Sequence, residues 1–116
     1  MKHINPKELK IFLEKKIRHI DLIDIRSVFE YKECHLLGAI SLPIDNLKFI
    51  NHHSSKTIAV FYCKTSKRTS DDADELEELG YLENYILSGG INSWRRVLLP
   101  LCAEPKNCKC GMLCSA

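Results

Sequence analysis

Six consecutive residues near the middle of the chain, Thr57-Ile58-Ala59-Val60-Phe61-Tyr62, form an apolar, partly β-branched run without polar alternation. A strand of that make-up is buried on both faces, and such strands belong to parallel sheets with helices above and below them. Asp21-Leu22-Ile23-Asp24-Ile25 is a second short apolar run of strand length. Ala39-Ile40-Ser41-Leu42 before Pro43, and Asn84-Tyr85-Ile86-Leu87 before Gly89-Gly90, are weaker strands whose ends are marked by Pro or Gly. Asn5-Pro6-Lys7-Glu8 reads as a helix start, with Asn at the N-cap, Pro first and Glu third, and Leu9, Phe12 and Leu13 then line one face as far as about Lys16. Further helical patterns cover 28–33, 45–50, 69–79 with Gly80 as the closing residue, and 91–98. Strand and helix alternate, which predicts an α/β fold: an open, mostly parallel sheet of four to five strands with helices on both faces. Ligands of such sheets bind at the carboxyl ends of the strands.

Composition narrows the functional classes. The 116 residues are 45% hydrophobic and 28% charged, as expected of one soluble domain. Seventeen Lys and Arg oppose fifteen Asp and Glu for a net charge of +2, far from the basic signature of a nucleic-acid binder, so no nucleic-acid partner is indicated. No apolar run reaches the roughly 18–20 residues of a membrane span, and the opening Met1 to Pro6 lacks the apolar stretch of a signal peptide. The expected address is cytoplasmic, where structural disulfides are rare, so the six cysteines point to reactive thiols, metal ligands or inert buried residues. The composition shifts near Pro100, dividing the chain into a domain at 1–101 and a cysteine-rich tail at 102–116. Cys102, Cys108, Cys110 and Cys114 are spaced x5, x and x3, unlike the paired C-x2-C of a zinc ribbon. Zinc or copper(I) binding, sulfur relay, disulfide formation on oxidation and a reduced, unstructured appendage are all open to this tail, and no metal site is assigned.

The loop directly after the central strand, Cys63-Lys64-Thr65-Ser66-Lys67-Arg68, is the candidate site. A thiol at a helix N-terminus feels the positive end of the helix dipole, and Lys64, Lys67 and Arg68 add positive charge, so both effects favour thiolate. If successive backbone N–H groups point inward, the loop becomes a nest for an anion or for the sulfur itself, and Arg68 closes it as a bidentate oxyanion clamp. The alternative is a buried strand-end cysteine beside solvated cations. The acidic run Asp71, Asp72, Asp74, Glu75, Glu77 and Glu78 is a solvated helix face.

Four segments in order resemble the rhodanese family of sulfurtransferases. Leu22-Ile23-Asp24-Ile25-Arg26 is similar to the family's Asp-x-Arg strand end, with Glu30-Tyr31 following. Cys34-His35-Leu36-Leu37-Gly38-Ala39-Ile40 resembles its His-Ile-Pro-Gly-Ala segment and leads to Leu42-Pro43. The 63–68 loop comes next, and Gly80-Tyr81 with Leu87-Ser88-Gly89-Gly90-Ile91-Asn92-Ser93-Trp94 resembles the Gly-Gly-x-x-x-Trp close. Ser66 stands where the family has Gly, so a positive φ there is strained by about 1 kcal/mol. Leu37 replaces the family's Pro and Cys34 its Gly, both outside the loop.

The resemblance implies a rhodanese-like domain that moves sulfane sulfur, from thiosulfate or a persulfide, to a thiol or protein acceptor through a persulfide on Cys63. Lys64, Thr65, Ser66, Lys67 and Arg68 would bind the substrate, and no cofactor is expected. Asp24 and Arg26 read as a supporting ion pair. A binding or regulatory module without turnover is the alternative, made pertinent by Ser66. A cysteine phosphatase or arsenate reductase is a further one, against which stand four rather than five residues between Cys63 and Arg68, and Tyr62 where tyrosine phosphatases have His. By the same resemblance His35 is structural rather than a base for Cys34. His52 and His53 fit helix-end or solvent positions, and Trp94 with Ile91 and Leu98 forms a core-facing stripe.

Overall fold

The computed structural model describes residues 1–15, 19–45, 57–97 and, by their backbone, 101–102. In chain order the elements are β1 (Lys2–Ile4), α1 (Pro6–Lys15), β2 (Ile20–Asp24), α2 (Val28–Glu33), β3 (His35–Leu36), β4 (Ile40–Ser41), β5 (Ile58–Tyr62), α3 (Lys67–Asp71), α4 (Ala73–Glu77), β6 (Glu83–Leu87), α5 (Gly90–Arg96) and β7 (Leu101–Cys102).

All five residues of β5 are buried, and the strand lies at the centre of a sheet ordered β1-β6-β5-β2-β4 in which every pairing is parallel. The expected open parallel sheet is therefore present, with five strands. Side chains alternate along β5 and sort the core into two layers. Val60 and Tyr62 pack with Leu22, Leu87, Leu9 of α1 and Ile91 and Trp94 of α5. On the opposite face Ala59, Phe61 and Cys63 pack with Ile23, Ile25, Leu76 of α4 and Leu79. Helices thus cover both faces, as the unalternating apolar run requires.

Local signals account for the helix ends. Asn5 Oδ1 accepts from the Glu8 amide at 2.8 Å while Glu8 returns an acceptor to the Asn5 amide at 3.0 Å, a reciprocal cap on α1. The same exchange joins Ser27 and Glu30 on α2. Gly80 takes a left-handed φ of 83° after α4.

The structure departs from the sequence reading in several elements. The expected helix over 69–79 is two short helices, with Asp72 between them at φ −106° and ψ 17°. Neighbouring like charges and weak helix formers in Ser70-Asp71-Asp72 break it there, and Asp74 and Glu75 then fall in the first turn of α4, where carboxylates are favoured. β1 was not anticipated: three residues with only Ile4 buried carry too little pattern. Nor was the antiparallel pair β3-β7, which sets the Cys102 backbone opposite His35. Most of the expected 45–50 helix, His52, His53, Leu98, Cys108, Cys110 and Cys114 lie outside the described residues. Among the described residues no helix is long and apolar enough to cross a membrane.

Candidate active site

β5 delivers Cys63 to the carboxyl edge of the sheet, where the 63–68 loop turns into α3. The turn depends on Ser66, at φ 83° and ψ −7° the one non-glycine residue with positive φ among those described. That left-handed step turns the chain into α3 and so directs Thr69 toward the sulfur, while the Ser66 N–H donates to Cys63 Sγ at 3.2 Å. Thr69, fully buried, stands 3.5 Å from the same sulfur through Oγ1 and also donates its hydroxyl to the Ser66 carbonyl at 2.9 Å. One hydroxyl hydrogen thus has two acceptors in reach, so Thr69 serves a thiol as acceptor and a thiolate as donor.

α5 holds the loop from its other side. The Ile91 amide donates to the Cys63 carbonyl at 2.9 Å and the Asn92 amide to the Lys64 carbonyl at 3.1 Å. The peptide unit whose carbonyl takes the Asn92 hydrogen carries the Thr65 N–H, which is one of the donors favouring the Cys63 thiolate. Hydrogen bonds in series through a peptide plane polarise one another, so α5 reinforces the amides that face the sulfur. The approach demands glycine: a Cβ on Gly90, itself at φ 59°, would lie 2.4 Å from the Cys63 carbonyl oxygen.

The Cys63 thiol is pushed up by burial, yet the Thr69 hydroxyl and the amides of Thr69, Thr65 and Ser66 outweigh that and hold it below its ordinary value. The sequence reading invoked a helix N-terminus and basic side chains; the donors here are the Thr65 and Ser66 amides, the Thr69 amide in the first turn of α3 and the Thr69 hydroxyl, while Lys64 and Lys67 are exposed. Thr69 was missed as a donor, although a Ser or Thr just past the loop is the available signal.

Cys63 is 1% exposed, covered by the loop and by the layer containing Phe61 and Leu76. One expectation is corrected. Arg68 is not an open oxyanion clamp: its two terminal nitrogens bind the Glu30 carboxylate at 3.2 and 3.1 Å, because α2 brings a pre-capped glutamate opposite α3. Arg68 remains within electrostatic range of Cys63. Thr65 is exposed, so its contribution to the site is its amide.

Asp24 and Arg26 form a buried pair, with Arg26 Nη2 2.6 Å from Asp24 Oδ2 and the Arg26 amide donating to Oδ1 at 2.9 Å. Arg26 Nη2 also donates to the Cys34 carbonyl, locking the strand end to the turn after α2. His35 stacks on Tyr31 at 3.8 Å and donates from Nδ1 to the Tyr31 carbonyl at 2.7 Å, a structural engagement. Beside the loop lies a cleft of about 220 Å³ lined by Arg26, Glu30, Glu33, Lys64, Asn92 and Arg95, among others.

A parallel α/β sheet carrying an acidified, amide-lined cysteine at a strand end describes a thiol-centred class of proteins. Residues 5–97 match the Rhodanese-like domain, and the chain belongs to that family. It is 30% identical over 100 residues to the probable adenylyltransferase/sulfurtransferase MoeZ of Mycobacterium tuberculosis, covering 84% of this chain but only 25% of MoeZ. The thiosulfate sulfurtransferase GlpE of Coxiella burnetii is 31% identical over 81 residues, covering 69% of this chain and 76% of GlpE. The Rhodanese-like domain of the Anabaena Alr3790 protein superposes with a TM-score of 0.79 at 21% identity, covering 92% of this chain and 83% of that one, and shares the fold.

Proposed function

We propose that the protein moves sulfane sulfur through a persulfide on Cys63. The observation that carries this reading is the hydrogen bond from the Ser66 amide to Cys63 Sγ, within a loop whose donors favour an anionic sulfur. Cys63 thiolate attacks the outer sulfur of thiosulfate or of a persulfide. The old S–S bond breaks, sulfite or a thiolate leaves with its electron pair, and the new S–S bond leaves Cys63 as a persulfide. A thiol or protein acceptor then attacks the outer sulfur as thiolate, and Cys63 departs as the thiolate that began the cycle. The same amides that favour the thiolate favour the persulfide anion. The chemistry needs no metal or cofactor. The phosphatase alternative has less support, since Arg68 is engaged by Glu30 rather than presented to an oxyanion.

The 1% exposure of Cys63 favours a second reading, a binding or regulatory module without turnover. One measurement separates the two. Reduced protein treated with thiosulfate or a small persulfide should gain the mass of one sulfur atom, and Cys63→Ser should gain none. A wild-type mass that stays unchanged with both donors rejects the transfer reading.

A further inference from the structure

A guanidinium with its donors free offers a planar, two-pronged positive fork to an anionic substrate. Here that fork is occupied, and its occupant is anchored. Glu30 Oε1 accepts from both the Ser27 amide and the Ser27 hydroxyl at 3.2 Å as half of the α2 capping box, while Oε1 and Oε2 take the two Arg68 nitrogens. A carboxylate tied to its own helix start does not swing aside as a free surface glutamate does. Arg26 is likewise committed, to Asp24 and the Cys34 carbonyl. Among the described residues, the cations left around the loop are the exposed ammonium groups of Lys64 and Lys67, with Arg95 across the cleft, and the same cleft carries the carboxylates of Glu30 and Glu33.

We propose that Glu30 determines donor choice: by holding Arg68 in a two-pronged ion pair beside Cys63, it disfavours thiosulfate and favours persulfides. This rests on the sulfur-transfer reading. Thiosulfate carries a sulfonate that does not transfer and needs a cation of its own in the site. A persulfide R–S–SH needs none, since Cys63 thiolate takes the outer sulfur and R–S⁻ leaves with the bonding pair, its charge accommodated by the donors that release it from Cys63. Opposite charges left unpaired attract the sulfonate; an Arg68 already neutralised attracts it weakly.

The test compares kcat/KM for thiosulfate and for the persulfide of mercaptoethanol, whose one ionising group is the persulfide itself, in wild type and Glu30→Gln. Glutamine keeps the capping box, so the fold is retained, and a melting curve verifies it. The ratio of thiosulfate to persulfide efficiency should rise about twofold to fivefold in Glu30→Gln, the scale of one surface-exposed charge contact, through a lower KM for thiosulfate. In the Glu30→Gln, Arg68→Ala double variant the gain should vanish. A ratio that stays at the wild-type value in folded Glu30→Gln overturns the proposal, as does a gain that persists without Arg68. Those results differ from failure of the transfer reading itself, in which neither donor leaves sulfur on Cys63.

Discussion

At the scale of single residues, the site turns on a serine in a conformation that serine disfavours. Ser66 at φ 83° carries a left-handed backbone strain of about 1–2 kcal/mol, and that step is what turns the loop into α3 and directs Thr69 toward Cys63. Replacing it with glycine removes the Cβ conflict and returns part of the gain as extra entropy of the unfolded chain. Ser66→Gly should therefore raise stability by a net of about 0.5–1 kcal/mol in urea unfolding, with the thiol titration unchanged; Ser66→Ala, which keeps the Cβ, should show no such gain. Equal midpoints for glycine and alanine would mean the strain is absent. The position was legible in the sequence because a glycine pattern was broken there. Thr69 was not legible as a partner of Cys63, because placing its hydroxyl near sulfur requires α3 to begin at Lys67, two residues before the start that its sequence suggests.

At the scale of elements, α5 is the brace of the loop, and Gly90 is where brace and loop meet. The Gly90→Ala methyl would press on backbone atoms of Cys63 and Lys64 at 2.4–2.6 Å, and rigid backbone does not yield as a side chain does. We expect a loss of about 2 kcal/mol or more in unfolding measurements, and alkylation of Cys63 whose pH midpoint moves upward as the Thr65 and Ser66 amides lose their aim. A variant with native stability and native titration would show that α5 merely abuts the loop. The Gly-Gly-x-x-x-Trp pattern announced this element, but its role as hydrogen-bond donor to two loop carbonyls emerges only when the chain closes on itself. The break at Asp72 was hidden for another reason: an apolar period runs through 69–79, and charge repulsion within the run decided the outcome.

At the scale of the whole molecule, the Glu30–Arg68 pair spans the two layers, since α2 lies beside the layer containing Tyr31 and Arg68 belongs to the helix that follows Cys63. Arg68 is the main cause that holds the Glu30 carboxyl below its ordinary value of 4.5. A depressed native value contributes stability that is fully present above about pH 4.5 and disappears as pH falls through the native value beneath it. Wild type should accordingly melt above Glu30→Gln near neutrality, and the difference should close as the solution is acidified below pH 4.5. A gap of constant size across that range, followed by calorimetry, would show that the pair contributes nothing to the fold. The architecture itself was the most legible level, because the unalternating 57–62 run and the strand–helix order permit few arrangements. Short edge pieces such as β1 and β3-β7 escaped, being fixed by partners distant in sequence rather than by their own pattern.

The peptide plane between Lys64 and Thr65 joins a donor on one side of the sheet to a sulfur on the other. Acidity of Cys63 is therefore a product of completed assembly: α5, some thirty residues downstream, must dock before the loop amides are fixed. A nascent or partly unfolded chain without α5 docked carries a thiol there that is less nucleophilic and slower to react with stray oxidants.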